Sequence, residues 1–127
     1  MKVRKIHSQL EILIAEVSKK QSFKIICSYR SKKDQDKAFK EGRSRAVFGK
    51  SPHNYIPALA IDIIPEPFKG WNDFSGFNKI LNEFQEVANQ KKININLGRD
   101  FKKLKDYPHI ELRDWKRLRY EKDESEK

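Results

Sequence analysis

Two stretches of the chain repeat apolar residues at the spacing of an amphipathic helix. The first stripe consists of Ile6, Leu10, Leu13, Ile14 and Val17, and the second of Phe77, Ile80, Leu81, Phe84, Val87 and Ala88. Because each set recurs every three to four residues, each lies on one face of a helix. Asp73 or Ser75 is expected to cap the second helix. A third, polar helix is predicted to begin at Ser31, in a capping box with Asp34, and to end at Gly42.

Four short segments have the apolar, β-branched character of strands, namely residues 23–28, 58–64, 93–97 and 108–112. Residues 43–57 show no sustained periodicity and contain Gly49, Pro52 and Pro57, so a long irregular loop is predicted there. The last two strands flank a polar connection and are expected to pair antiparallel. This order of elements predicts an α+β domain with a small, mostly antiparallel sheet flanked by helices.

The chain has 127 residues, with 28 Lys and Arg against 18 Asp and Glu, which gives a formal net charge of +10. This length suits a single domain, which we place at residues 1–112, followed by a charged tail at 113–127. So basic a surface is expected to attract the anionic cell envelope. It also leaves open a non-enzymatic alternative, a small protein that binds nucleic acid through phosphates. No nucleic-acid motif is recognisable, so no specific nucleic-acid partner is expected.

Two further features limit the chemistry and the location. The single cysteine, Cys27, excludes a disulfide framework and a Cys-rich zinc module, so histidines and carboxylates would have to hold any metal. No run of about 18 apolar residues predicts a membrane span. Glu11 and Glu16 interrupt the N-terminal apolar stretch that a signal peptide would need. Synthesis in the cytoplasm is therefore expected, and any action outside would require a release route.

Two of the three histidines lie near acidic residues at the edges of predicted strands. His53 precedes Asp62 by nine residues, and His109 follows Asp106 by three. Strand alternation along residues 58–64 places Asp62 on one face with two alanines, and the larger apolar residues on the other. A carboxylate in so apolar a segment is rarely buried unless it is paired or bound to a metal.

His53, Asp62 and His109 would give zinc three protein ligands and leave a fourth position for water. A zinc held in this way lowers the pKa of water toward about 7 and polarises a carbonyl, as amide hydrolysis requires. A general base is then needed, and spacing offers two candidates, Asp106 and Glu111. Spacing alone does not separate such a site from the ordinary surface and capping roles of isolated His and Asp residues.

Four short blocks occur in the order seen in a known enzyme family. They are Tyr29-Arg30-Ser31 with Gln35, Glu41-Gly42-Arg43-Ser44, Ser51-Pro52-His53-Asn54-Tyr55 with Ala60-Ile61-Asp62, and Asp106-Tyr107-Pro108-His109-Ile110-Glu111-Leu112. In these blocks the chain resembles the VanY-like D-alanyl-D-alanine carboxypeptidases and the phage L-alanyl-D-glutamate endolysins. These are zinc peptidases of peptidoglycan with the hedgehog/DD-peptidase fold. The resemblance covers roughly residues 23–112.

The resemblance implies a role for each matching residue. His53, Asp62 and His109 would be the metal ligands, with one Zn²⁺ per chain. Asp106 would be the general base and acid, in preference to Glu111, which would be a structural residue or a support for a ligand. Under this resemblance, residues 1–112 form a catalytic zinc peptidase domain.

The resemblance also implies the reaction. A water activated by zinc would attack a peptide carbonyl of the peptidoglycan stem peptide, cutting L-Ala-D-Glu as an endolysin or D-Ala-D-Ala as a carboxypeptidase. Arg30 would hold the substrate or stabilise the oxyanion, and Ser51 would lie near the substrate. A longer, proline-containing loop between His53 and Asp62 departs from the commonest family pattern. We expect a monomer that acts on the cell wall or in the periplasm after phage-mediated release.

Four residues outside these blocks are interpreted as structural. His7 has no partner at helical spacing that would make a ligand pair, so it is expected to be structural or solvated. Cys27 is expected to be a buried small hydrophobe rather than a nucleophile, because no histidine adjoins it in sequence. Trp71 and Trp115 are expected to pack at a helix start and under the C-terminal tail, rather than to form a substrate platform.

Overall fold

The structure is a computed structural model that describes residues 6–123 of the chain. The helices are α1 (Ser8–Ser18), α2 (Lys32–Lys40), α3 (Phe74–Lys91) and α4 (Trp115–Leu118). The strands are β1 (Phe23–Cys27), β2 (Ala60–Pro65), β3 (Ile95–Leu97) and β4 (His109–Leu112), and two 3₁₀ turns span Pro52–Asn54 and Gly98–Asp100. Among the helices within residues 6–123, none combines the length and apolar character that crossing a membrane requires.

The four strands form one sheet in the order β1-β2-β4-β3, and every neighbouring pair is antiparallel. The predicted α+β fold with a small antiparallel sheet is therefore confirmed. In the register of the sheet, Asp62 on β2 lies opposite His109 on β4 and opposite Cys27 on β1. Three residues with reactive side chains thus form one row across the middle of the sheet.

The two long apolar stripes pack against the sheet and supply most of the core. The buried cluster comprises Leu10, Leu13, Val17, Leu59, Ile61, Ile63, Phe77, Ile80, Leu81, Phe84, Val87, Ala88, Ile93, Ile95, Leu97, Ile110, Leu112 and Trp115. Because Ile61 and Ile63 point into this cluster, strand alternation turns Asp62 to the opposite face of the sheet. Helices α1 and α3 therefore cover one face, and the chemistry lies on the other.

The predicted helix starts are confirmed by their caps. The Ser31 hydroxyl accepts a hydrogen bond from the Asp34 N–H at 3.2 Å, and the Asp73 carboxylate accepts one from the Gly76 N–H at 3.1 Å. Each cap satisfies a backbone donor that the first turn of a helix leaves without a partner. Of the two candidates for the cap of α3, the structure thus selects Asp73.

The structure differs from the sequence prediction in the loop and at the ends of all four strands, and β3, like β2, begins two residues later than predicted. The loop predicted as wholly irregular contains the turn Pro52–Asn54, which is held by a capping box between Ser51 and Asn54. Strand β2 begins two residues later than predicted, because the Ala58 carbonyl accepts from the His7 N–H and Ala58 pairs with Ile6 in an isolated parallel bridge.

Residues 113–123 pack back onto the domain. Trp115 is buried in the core, as expected, and the Asp123 carboxylate accepts from the Ser8 N–H at 2.8 Å and the Ser8 hydroxyl at 2.5 Å. His7 is also buried, and its Nδ1 accepts from the Gln9 N–H, which fits the structural role expected for it. The boundary at residue 112 stays a prediction, and residues 124–127 of the tail lie outside the described part.

We expect Asp123→Ala to destabilise the protein. The substitution leaves the partly buried donors of Ser8, at the start of α1, without their acceptor, which costs about 1–3 kcal/mol. Urea denaturation should therefore show a lower free energy of unfolding, whereas Asp114→Ala, at a half-exposed carboxylate, should change it by less than about 0.5 kcal/mol. Equal stability of the two variants would show that the Asp123 contact contributes nothing.

Candidate metal centre

Three polar atoms from three separate segments converge on the open face of the sheet. The His53 Nε2 lies 3.3 Å from the His109 Nδ1 and 3.3 Å from the Asp62 Oδ1. The His109 Nδ1 lies 3.2 Å from the same carboxylate oxygen. Strands β2 and β4 bring Asp62 and His109 together as direct register partners, and the turn Pro52–Asn54 adds His53.

This triangle has the dimensions of a zinc site. Ligands bound at about 2.0–2.1 Å in tetrahedral geometry lie about 3.3 Å from one another. The three observed separations among His53, Asp62 and His109 are 3.2–3.3 Å. Two neutral nitrogens and one carboxylate oxygen are donors that Zn²⁺ accepts, and three protein ligands leave a fourth position open. The residues present therefore fit the metal that the sequence predicts.

Neighbouring acceptors orient both imidazoles for metal binding. The His53 Nδ1 donates to the Ser28 carbonyl at 2.8 Å, and the His109 Nε2 donates to the Glu111 Oε1 at 2.7 Å. Each bond keeps a proton on the ring nitrogen that faces away from the triangle and leaves the other nitrogen as a lone-pair donor. The Asn96 side chain donates to the second Glu111 oxygen at 3.2 Å and fixes that carboxylate in turn.

Charge at the triangle is balanced around Asp62. Burial would raise the pKa of Asp62, but hydrogen bonds from His109 and His53 hold that pKa well below its usual range. Burial would likewise lower the pKa of each histidine, and the interaction with Asp62 raises it instead. A divalent cation must displace the protons that these raised pKa values retain, so cation binding weakens as the pH falls.

Arg30 approaches the same carboxylate from its other side. Its Nη2 lies 3.8 Å from the Asp62 Oδ2, while its Nη1 donates to the Gln35 Oε1 at 3.1 Å. The Asp62 Oδ1 therefore faces the two imidazoles and the Oδ2 faces a guanidinium. This arrangement would leave one carboxylate oxygen for a metal, and it holds Arg30 beside the carboxylate.

A buried network of side-chain amides positions the loop that carries His53. The sequence did not predict this network. The Gln35 side chain is fully buried and donates to the Ser44 hydroxyl and the Ala46 carbonyl. The Asn54 Nδ2 donates to the Gln35 Oε1 at 3.1 Å and to the Arg30 carbonyl at 3.1 Å. Both amides belong to the motif blocks, but nothing in the spacing indicated that they contact each other.

Ser51 and Cys27 lie beside His53. The Ser51 hydroxyl accepts from the His53 N–H at 3.2 Å and lines the groove next to the triangle. The Cys27 sulfur lies 3.7 Å from the His53 Nδ1 and is partly buried, so a histidine does adjoin it in space. The Cys27 sulfur, a ring nitrogen of His53 and a carboxylate oxygen of Asp62 also lie within 4.8 Å of one another, so these three residues form a second possible ligand group.

Asp106 lies at the rim of the triangle. One oxygen of its carboxylate, one of Asp62 and a ring nitrogen of His109 all fall within 4.8 Å of one another. Partial burial and the negative charge of Asp62 raise the pKa of Asp106 above its ordinary value. Glu111, the other base candidate, is occupied by its hydrogen bond to His109. The structure thus favours Asp106 as the carboxylate available to a substrate.

Gly98 permits the close turn that places Asp106 and His109. The Gly98 carbonyl accepts from the Asp106 N–H at 2.9 Å, and the Asp106 carbonyl accepts from the His109 N–H at 3.1 Å. A Cβ atom at position 98 would lie 2.0 Å from the Asp106 carbonyl oxygen and 2.9 Å from the His109 Cβ. Any side chain there must therefore displace the backbone of this turn.

We predict that Gly98→Ala displaces Asp106 and His109 together. Moving two such groups by about 1 Å costs on the order of 100-fold in turnover. Steady-state kinetics with the zinc content measured in parallel would check this. Turnover equal to that of the unmodified protein would contradict the assigned role of Gly98.

A groove of about 390 Å³ contains these groups. Its wall includes Arg30, Arg43, Ser44, Arg45, Ser51, His53, Asp62, Phe101, Lys103, Leu104, Asp106 and His109. The structure therefore brings all the predicted metal, base and substrate residues to a single groove. Its cationic lining, which includes Arg43, Arg45 and Lys103, suits a substrate that carries carboxylates.

Comparison with known proteins identifies the family. The family described as "Phage L-alanyl-D-glutamate peptidase" matches residues 1–120 of this chain. The chain belongs to this family. The resemblance predicted from the four sequence blocks is confirmed, because the match contains all of them. Membership of a peptidase family also gives no support to the nucleic-acid-binding alternative.

Two known endopeptidases are similar to this chain, one in sequence and one in fold. The chain is 34% identical over 96 residues to "Peptidoglycan L-alanyl-D-glutamate endopeptidase CwlK" of Bacillus subtilis (strain 168), across 66% of this chain and 56% of that protein. The chain thus spans about half the length of this relative. The fold matches the crystal structure of Serratia marcescens L-Ala D-Glu endopeptidase ChiX with a TM-score of 0.76 and 24% identity, covering 88% and 85% of the two chains.

Proposed function

We propose that this protein is a zinc-dependent endopeptidase that hydrolyses the L-Ala-D-Glu bond of peptidoglycan. The observation that carries this proposal is the triangle of His53, Asp62 and His109 donor atoms with the Asp106 carboxylate at its rim. Family membership supports L-Ala-D-Glu over D-Ala-D-Ala, the other bond considered from the sequence. The names of the Bacillus and Serratia relatives agree with that choice.

One Zn²⁺ per chain would be held by His53, Asp62 and His109. When bound, zinc would act as a Lewis acid that polarises the scissile carbonyl and lowers the pKa of a water ligand toward about 7. The Ser28 carbonyl and Glu111 keep the two imidazoles in the required orientation. Because a single chain supplies all three ligands, the active unit can be a monomer, as expected from the sequence.

Asp106 is the group placed to move protons. Its carboxylate accepts a proton from the attacking water and returns it to the nitrogen of the leaving amine. Its raised pKa makes the carboxylate a stronger base, which favours the first of these two transfers. Arg30, fixed by Gln35 and Asp62, directs its remaining N–H donors toward the oxyanion that develops on the carbonyl.

Substrate binding uses the cationic groove. Arg43, Arg45 and Lys103 attract the carboxylates of the stem peptide, and the surface charge of +10 attracts the anionic envelope. The Ser51 hydroxyl already accepts from the His53 N–H, so its own proton is free to bind a substrate carbonyl. The phage origin stated for the family supports action on the bacterial wall during lysis.

Digestion of defined muropeptides tests the proposal. The zinc-loaded protein should release a fragment with a new N-terminal D-Glu, identified by mass spectrometry, and chelation followed by zinc addition should abolish and then restore the release. Release of free D-Ala instead would assign a carboxypeptidase. Absence of cleavage with stoichiometric zinc bound would reject both peptidase assignments.

Glu111→Gln is expected to weaken zinc binding without removing the site. The amide still contacts His109, but it lacks the charge that makes the imidazole a better donor. We expect about 10- to 100-fold weaker zinc affinity, the usual effect of losing such a partner. Competition with a chromogenic chelator measures this, and Glu121→Gln on the exposed surface is the control. Unchanged affinity would show that the Glu111 charge is unimportant.

A further inference from the structure

Beside the groove lies an exposed group of aromatic side chains that the proposed mechanism does not use. Trp71 is 58% exposed, Phe74 47% and Phe68 43%. The Phe68 and Trp71 rings contact each other edge to face at 4.9 Å, and the Trp71 ring lies nearly parallel to buried Phe77 at 6.4 Å. Trp71 thus packs against the start of α3 through Phe77, as the sequence predicts, and more than half of it remains accessible.

This aromatic group is continuous with the proposed catalytic centre. A second cavity of about 390 Å³ is lined by Trp71, Phe74 and Tyr107, and it shares Arg30, Arg43, Asp62 and Asp106 with the first groove. The Phe74 and Tyr107 rings lie 4.8 Å apart. Contiguous exposed apolar surface that is rimmed by polar residues is a feature of ligand-binding grooves. A substrate that spans the catalytic centre would therefore contact this cavity.

The two sides of the catalytic centre differ in chemistry. Beyond the residues that both cavities share, the first adds the cations Arg45 and Lys103 together with the apolar side chains of Phe101 and Leu104. The second adds the three aromatic rings and one cation, Lys105. The proposed substrate has a matching polarity. In peptidoglycan the free carboxylates of the stem peptide lie on the D-Glu side of the L-Ala-D-Glu bond, and the L-Ala nitrogen is joined through a lactyl group to an uncharged N-acetylated amino sugar.

We propose that Trp71 and Phe74 form a subsite for this amino sugar, on the N-terminal side of the bond that is cut. An aromatic face packs against the apolar C–H face of a pyranose ring, and the rim offers polar partners to its hydroxyl and acetamido groups. The stem peptide then runs from the aromatic side toward Arg45 and Lys103. This inference rests on the proposed function and adds the direction in which the substrate lies.

A pair of substrates tests the subsite. One is a muramyl peptide that carries the sugar, and the other is the same stem peptide without it. The unmodified protein should have a higher kcat/KM on the muramyl peptide. Trp71→Ala should lower kcat/KM on that substrate by about 5- to 10-fold, the usual value of one aromatic contact. It should leave turnover of the free peptide unchanged, and Trp71→Phe should retain most of the preference.

Tyr120→Ala is the matched control, because Tyr120 is an aromatic residue that is 79% exposed and lines neither cavity. Equal loss on both substrates in Trp71→Ala would overturn the sugar subsite in favour of a role of Trp71 in folding. Equal kcat/KM of the unmodified protein on the two substrates would also overturn it. If the unmodified protein cuts both peptides, the proposed function stands whichever way Trp71→Ala behaves; if it cuts neither, both proposals fail.

Discussion

His109→Ala is expected to reduce bound zinc from about one equivalent per chain to none, and to abolish peptide hydrolysis with it. The substitution removes one of three donors that lie 3.2–3.3 Å apart, so only His53 and Asp62 would remain. Asp62 would then retain Arg30 as a competing partner. Zinc sites in proteins have at least three protein ligands, so His53 and Asp62 alone, next to the Arg30 guanidinium, should not retain zinc. Elemental analysis of tag-free protein after zinc loading and dialysis measures the loss.

His7→Asn is the matched histidine control. His7 caps α1 by accepting from the Gln9 N–H, and asparagine is also a good helix cap, so the fold should be kept. Zinc content should stay at about one equivalent per chain. Cys27, His53 and Asp62 form a second possible ligand group, and zinc binding there would contradict the assigned site. Full zinc in His109→Ala, together with loss of zinc in Cys27→Ser, would move the metal to that group.

The fold could be predicted from the sequence because the pattern that indicates each long helix lies within the helix itself. The stripe from Phe77 to Ala88 has the helical period throughout, and every member of it is buried in the core. The caps Ser31 and Asp73 act within three residues of the chain, so they too leave a local signal. The predicted ends of the strands were less accurate, because pairing across the sheet determines where β2 begins.

The candidate site was only partly predictable, because its geometry depends on contacts between distant segments. Residue types and motif order indicated Asp62 and His109, but only the register of β2 against β4 places them side by side. The Gln35–Asn54 bond joins residues 19 positions apart, and neither has a pattern that indicates its partner. The exposure of Trp71 likewise depends on the residues that pack around it in the fold. These neighbours cannot be identified from the sequence near Trp71.

Asp106→Asn is expected to lower kcat by about 100- to 10,000-fold, the range for loss of a positioned general base. Asparagine has nearly the same shape but cannot accept a proton from water. Because Asp106 lies at the rim of the ligand triangle, bound zinc should remain at about one equivalent per chain. This retention separates Asp106→Asn from His109→Ala, in which zinc and activity are lost together.

Kinetics on a muropeptide, with zinc measured in the same samples, checks the Asp106 assignment. Asp100→Asn is the control, since that carboxylate is 72% exposed and pairs only with Arg99 among the contacts described. In the unmodified protein kcat/KM should fall on the acid side, because protons compete with zinc for the His53 and His109 nitrogens, whose pKa values the interaction with Asp62 raises. Loss of zinc in Asp106→Asn would make Asp106 a ligand, and full activity would transfer the role of base to another group.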